Sequence, residues 1–120
     1  VAAQSIAITD VGTSGGQFRT FAHQLGIWQD IAPRVVGLEG GGPMKALLSG
    51  DVELAALPLT NIAPMPRVQT MAVCPIDMNV HIDLTICLQP GAPKAAHKLA
   101  KWLCHTDRDV QLRELGGHRF

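Results

Sequence analysis

Two glycine-rich passages, each placed between a β-branched apolar run and a helical pattern, constrain the fold of this chain most strongly. The first is Ser5–Phe18 (SIAITDVGTSGGQF), and the second is Arg34–Leu48 (RVVGLEGGGPMKALL). Each passage predicts a strand, a glycine turn and the start of a helix. Because the first amides of a helix have no acceptor within it, both turns are candidate sites for an anion.

Apolar spacing predicts the other elements. The first helix is predicted over Gln17–Trp28, with Thr13 or Ser14 as its N-cap and Arg19 on its outward face. The other predicted helices are Pro43 to about Ser49, stopped by Gly50; Pro93–Cys104; and a last helix from Thr106 or Asp107 through Leu115, ended by Gly116 and Gly117. The other predicted strands are Arg34–Leu38, Val52–Leu57, Gln69–Cys74 and His81–Leu88, and a helical turn with a loop is predicted over Leu59–Pro66.

The order of these elements is β-α-β-α-β, followed by strands and two helices. Alternation of this kind predicts an α/β fold with a mainly parallel sheet, flanked by helices through right-handed crossovers. Ligands of such sheets bind beyond the carboxyl ends of the strands, and both glycine turns are expected there. The competing interpretation of these glycines is that they only permit tight turns.

Charge and length narrow the classes of partner. The chain has 120 residues, 47% of them hydrophobic, which predicts a single domain. Ten basic residues balance ten acidic ones, and no basic run occurs, so a nucleic-acid partner is not expected. A small uncharged or anionic ligand fits better, and no apolar segment has the length of a membrane span.

The side chains that could perform catalysis are scattered. Met44 and Ala46 stand where a P-loop needs glycine and a hydroxyl residue, and no GxGxxG motif occurs. The alternation predicted for the strand places His81 and Asp83 on one face, where they could form an acid/base pair, but no nucleophile accompanies them. We predict no catalytic residues and no cofactor.

Metal and disulfide chemistry are also not predicted. One face of the predicted helix carries His97, Lys101 and His105, with Lys98 nearby. The positive charge of the two lysines would repel a metal ion, so this pattern favours a solvated basic face over a metal site. The chain has three cysteines, Cys74, Cys87 and Cys104, which lie far apart in sequence; this favours buried free thiols, with one disulfide among them as the alternative.

The segment Lys45–Pro64 (KALLSGDVELAALPLTNIAP) resembles part of the type II periplasmic solute-binding proteins, where a helix with a Gly-Asp ending leads to a strand and a Ser/Thr-x-Ile-x-Pro turn. The molybdate-binding-like branch of ABC-transporter components is the most similar. Ser5–Phe18 resembles the strand that enters the second lobe of that fold, and Lys94–Phe120 resembles its closing helix pair.

This resemblance implies one lobe of a two-lobed periplasmic protein whose partner is the membrane permease of an ABC transporter. Residues 1–75 are then a ligand-binding lobe, and residues 76–120 a return strand with helices that pack on a first lobe. This sequence departs from the molybdate-binding pattern because it has no tyrosine. The implied ligand-facing residues are Thr13, Ser14, Gly15, Gly41, Gly42 and Thr60.

Our first hypothesis is therefore a non-enzymatic solute-binding component that holds a small anion, such as an oxyanion, at helix N-termini. One alternative is an effector-sensing domain of a transcription regulator with the same fold, and another is an α/β enzyme. The stripe of Leu99, Leu103 and Leu112 predicts an uncovered apolar face and hence a homodimer.

Overall fold

The computed structural model describes residues 3–119, which form three strands and six α-helices. Val1 and Ala2 of the predicted segment 1–75, and Phe120 of the predicted segment 76–120, lie outside the described residues. The strands are β1 (Ile6–Thr9), β2 (Val35–Leu38) and β3 (Leu54–Ala55). The helices are α1 (Thr13–Gln24), α2 (Trp28–Ile31), α3 (Gly42–Ser49), α4 (Leu59–Ile62), α5 (Lys94–Leu103) and α6 (Asp109–Glu114).

The sheet has the order β2-β1-β3, and both pairings are parallel. Ile6 lies opposite Val35 and Thr9 opposite Leu38, so β1 and β2 end side by side. The predicted α/β class with a parallel sheet is confirmed. The chain leaves β1 toward β2 through α1 and then crosses β1 to reach β3 through α3.

The core of the fold is small and centres on β1. Ala7 and Ile8 of β1, Ala22 of α1 and Val52 before β3 are the buried hydrophobic residues among those described. The radius of gyration is 17.0 Å, whereas a compact chain of this length has a value of about 13.5 Å. The carboxyl-terminal half is correspondingly open, since α5 has no buried residue.

Gly26, Gly50 and Gly116 end three helices by the same hydrogen-bond pattern. In α1, Gly26 has φ +70° and donates to His23, while Ile27 donates to Ala22, which is a Schellman motif. The predicted extension of α1 to Trp28 is therefore wrong, because Gly26 turns the chain out of the helix first. The same pair of bonds closes α3 at Gly50 and α6 at Gly116 and Gly117, as predicted.

The predicted strands at Gln69–Cys74 and His81–Leu88 are wrong. Neither segment pairs with a strand among residues 3–119. The alternating side chains of the second segment stay accessible, and Leu84 is 89% exposed. Extended backbone becomes a strand only where a neighbour supplies hydrogen-bond partners, and the described part of the chain supplies none to these two segments.

The three cysteines, Cys74, Cys87 and Cys104, are free thiols. Partial burial raises the pKa of the Cys74 thiol, and a backbone hydrogen bond acts in the opposite direction with a smaller effect. Cys87 and Cys104 are exposed, so the predicted burial of the thiols is wrong for these two.

We expect iodoacetamide to alkylate Cys87 and Cys104 before Cys74 at about pH 8, because a raised pKa leaves less of the reactive thiolate. Raising the pH increases the Cys74 thiolate, so the difference in rate should narrow. Peptide mass spectrometry over time measures all three rates in one sample. Equal rates at every pH would contradict the burial of Cys74.

Candidate functional site

The carboxyl edge of the sheet carries the beginnings of three helices. The helix α1 starts four residues after β1, α3 starts four residues after β2, and α4 starts four residues after β3. Because the three strands are parallel, these helices all begin at one edge. The prediction that both glycine turns lie at this edge is confirmed.

Gly12 caps α1 and makes the turn from β1 into the helix. Its φ of 151° and ψ of 167° lie in a region that is essentially restricted to glycine. The predicted N-cap at Thr13 or Ser14 is wrong, because both are already helical and no side chain caps this end. Thr13 is exposed and Ser14 is half-buried at the start of the helix.

Gly15 brings the start of α1 against the end of β1. It is buried, and a Cβ built on it would lie 1.7 Å from the carbonyl oxygen of Thr9. The first amide to bond within the helix is that of Gly16, which donates to Gly12 at 3.2 Å. Within residues 3–119, the amides of Thr13, Ser14 and Gly15 have no acceptor.

An ion pair lies beside this helix start. The guanidinium of Arg19 donates to the Asp10 carboxylate at 3.0 Å and to the Asp10 carbonyl at 3.2 Å. The Asp10 side chain stands over β2, since a Cβ on Gly37 would lie 2.7 Å from its carboxylate oxygen. The Asp10 carboxylate is 60% exposed, so the pair contributes at most about 1 kcal/mol.

The ion pair of Arg19 was not predicted, since apolar spacing places this residue on the outward face of α1. Helical side chains lean toward the amino end, so an arginine in the second turn can reach back to a residue that precedes the helix. That rule, applied to Asp10 and Arg19, was the available signal.

The second glycine turn offers fewer amides than the first. The Gly42 amide already donates to the Glu39 carbonyl at 2.8 Å, and Pro43 has no N–H. Gly41 is exposed in the left-handed region at φ 80°. In the first turn of α3, Met44 therefore has the one amide for which the described residues supply no acceptor.

Thr60 lies on the opposite side of β1 from the second glycine turn. It is exposed in the first turn of α4, which follows β3. The structure thus brings Thr13, Ser14 and Gly15 together on α1, with Gly41 and Gly42 after β2 and Thr60 after β3 at the same edge.

The remaining candidate side chains form one acid/base pair and an exposed basic face. The ring Nε2 of His81 lies 3.3 Å from the Asp83 carboxylate, a pair that the alternation of residues suggested. His97, Lys101 and His105 are exposed on or just after α5. No group of three or more histidine, cysteine or acidic residues within 3–119 is placed to hold a metal ion.

Comparison with protein-family models, with curated proteins and with solved structures finds no match to this chain. Across residues 3–119, none of the helices combines the length and the apolar character that a membrane crossing requires.

Proposed function

We propose that this chain binds a small anion at the amino end of α1, as the solute-binding component of an ABC-type transporter. The observation that carries the proposal is the set of three adjacent amides, those of Thr13, Ser14 and Gly15, for which the described residues provide no acceptor. A hydrogen bond from such an amide to a charged group contributes about 1.5–3 kcal/mol. Three such amides side by side favour a charged oxyanion over an uncharged ligand.

Electrostatics support the β3 side of the α1 start as the location of the anion. The Asp10 carboxylate lies toward β2 over Gly37, and its charge is offset by Arg19. The amino end of α1 carries the positive end of the helix dipole. We therefore expect the anion to bind between β1 and β3, next to the unbonded amides. Strand β1 then separates the anion from the Asp10 carboxylate.

Topology supports the same location. The connection after β1 goes toward β2, whereas β3 lies on the other side of β1. Ligands of open parallel sheets bind in the crevice at the point where the strand order reverses, which here is between β1 and β3. Thr60 borders this crevice on α4, so its hydroxyl is the proposed partner of Thr13 and Ser14, with Gly41 and Gly42 more remote.

The assignment to a transporter rests on the resemblance of Lys45–Pro64 to type II periplasmic solute-binding proteins. A periplasmic location, a membrane permease as partner and a homodimer are parts of the same proposal. Exposed Leu99 and Leu103 on α5 support a protein partner for that helix.

We expect Ser14→Asp to weaken the binding of molybdate or sulfate at least about tenfold. The new carboxylate would accept from the amides of α1 and repel an incoming anion. The same charge favours the amino end of a helix, so unfolding should need about 0.3–1 kcal/mol more free energy. Calorimetric titration and urea unfolding measure the two effects.

Gln24→Glu is the matched control, since it adds the same charge to the last residue of α1, which is exposed. It should leave anion binding unchanged and should not stabilise the helix. Unchanged affinity in Ser14→Asp would overturn the proposed site, as would failure of the unaltered protein to bind either oxyanion.

A further inference from the structure

A cationic cavity lies at the carboxyl-terminal end of the fold. It has a volume of about 200 Å³ and is lined by Asp109, Arg113, His118 and Arg119. None of these residues belongs to the sheet or to the helix starts at its carboxyl edge. The cavity is therefore a separate candidate for ligand binding.

Asp109 holds both arginines of the cavity through their Nε atoms. Arg113 Nε donates to the Asp109 carbonyl at 3.1 Å, one turn back along α6. Arg119 Nε donates to the Asp109 carboxylate at 3.0 Å, and its Nη2 lies 2.8 Å from the same oxygen. Arg119 Nη2 also donates to the His105 carbonyl at 3.2 Å. Each guanidinium is thus oriented before any ligand arrives.

These hydrogen bonds do not use all the donors of the two guanidinium groups. Among residues 3–119, the two terminal nitrogens of Arg113 and one terminal nitrogen of Arg119 have no acceptor. Both guanidiniums are permanently charged, whereas Asp109 supplies the one negative charge of the lining. The lining is therefore net positive, and the ring of His118 forms a further part of it.

We propose that this cavity binds a phosphate group, either inorganic phosphate or the phosphate of a small phosphomonoester. A tetrahedral dianion presents several oxygens at once, which suits the planar forks of two arginines in bidentate contact. The cavity volume exceeds that of a single water several-fold, so it admits a phosphate with part of an attached group.

A backbone contact fixes this end of the chain to the sheet domain. A Cβ on Gly116 would lie 2.8 Å from the Leu59 carbonyl carbon, so the turn before His118 and Arg119 rests directly on the start of α4. Two of the four lining residues thus follow a packed turn. The proposed phosphate site does not depend on the function proposed above.

Calorimetric titration of the full chain with inorganic phosphate and with glycerol phosphate tests the site. Arg113→Gln should weaken phosphate binding at least tenfold, because it removes two unbonded donors and one charge. Arg67→Gln is the matched control: Arg67 is exposed, does not line the cavity and loses the same charge. Ser14→Asp, which blocks the proposed α1 site, should leave this binding unchanged, so the two proposals fail separately.

Tighter binding of glycerol phosphate identifies a phosphomonoester site, and equal or weaker binding identifies free phosphate. The Arg113 and Arg119 Nε–H resonances of the unaltered protein should shift during the same titration, which tests the site even if a variant fails to fold. Absent shifts, equal losses in Arg113→Gln and Arg67→Gln, or acetate binding as tightly as phosphate would each overturn the proposal.

Discussion

Gly15→Ala is expected to separate α1 from the sheet and to remove most of the free energy of unfolding. The added Cβ would lie 1.7 Å from the Thr9 carbonyl oxygen and 2.9 Å from the Thr9 carbonyl carbon. Both are backbone atoms of β1, the central strand, so they cannot rotate away as a flexible side chain would. Overpacking within a core costs about 1–3 kcal/mol, and a backbone overlap of this size exceeds that range.

Natural domains are stable by about 5–15 kcal/mol in total, so a loss of several kcal/mol leaves a large unfolded fraction. Urea unfolding followed by far-ultraviolet circular dichroism measures it. Gly16→Ala is the control one residue later, because nothing lies within 4 Å of its added Cβ. This variant should gain about 0.5–1 kcal/mol from the helix preference of alanine. Equal stability of the two variants would contradict the close contact between α1 and β1.

Ile8→Ala is expected to have the second largest effect, a loss of about 2–5 kcal/mol. Ile8 lies in the middle of β1, has no exposed surface and is one of the largest fully buried side chains among the described residues. Truncation removes three buried carbons and leaves a cavity that the small core cannot refill. Because few hydrophobic residues are buried among those described, Ile8 accounts for a large part of this core.

The control for Ile8 is Leu84→Ala, a truncation of similar size in the segment that was wrongly predicted as a strand. Leu84 is 89% exposed, so its loss should change the free energy of unfolding by no more than about 0.5 kcal/mol. Thermal and urea unfolding of both variants provide the comparison. A large loss in Leu84→Ala would indicate that an additional surface covers residues 81–88.

Local rules account for what the sequence predicted correctly. The turns after β1 and β2 require backbone conformations that glycine or proline adopts most easily. These residues therefore mark both helix starts in the sequence. Helix ends at Gly50 and Gly116 follow from the left-handed conformation of the residue itself, with φ values of 83° and 82°. Gly26 carried the same signal, but the apolar spacing that continues to Trp28 outweighed it in the prediction.

Predictions that needed a distant partner were less successful. His81–Leu88 has the alternation of a strand, yet the described residues offer it no neighbour, and two of its apolar side chains lie across from α5 instead. Ile86 and Leu88 line a cavity of about 290 Å³ with Ala100, Lys101 and Cys104. Alternation in sequence describes the two faces of a segment, whereas pairing depends on the rest of the fold.

The position of the candidate site could be predicted from the sequence, but which of its backbone amides are hydrogen-bonded could not. Sequence order and parallel pairing place the glycine turns at one edge. The Gly42 amide is bonded to Glu39, whereas the first three amides of α1 have no acceptor among residues 3–119, and this difference depends on turn geometry that spacing does not encode. The Asp109 arrangement was missed for the same reason, since it joins α6 to a residue ten positions later.

The position of all three strands before residue 56 has a consequence for the order of assembly. Strand pairing joins segments that leave the ribosome early, and synthesis proceeds at about 5–20 residues per second. The sheet can therefore form while α5 and α6 are still untranslated, seconds before the turn at Gly116 reaches Leu59. In this interval the outer strands β2 and β3 each have one unpaired edge among the described residues. During that interval, nascent chains are most open to pairing with one another.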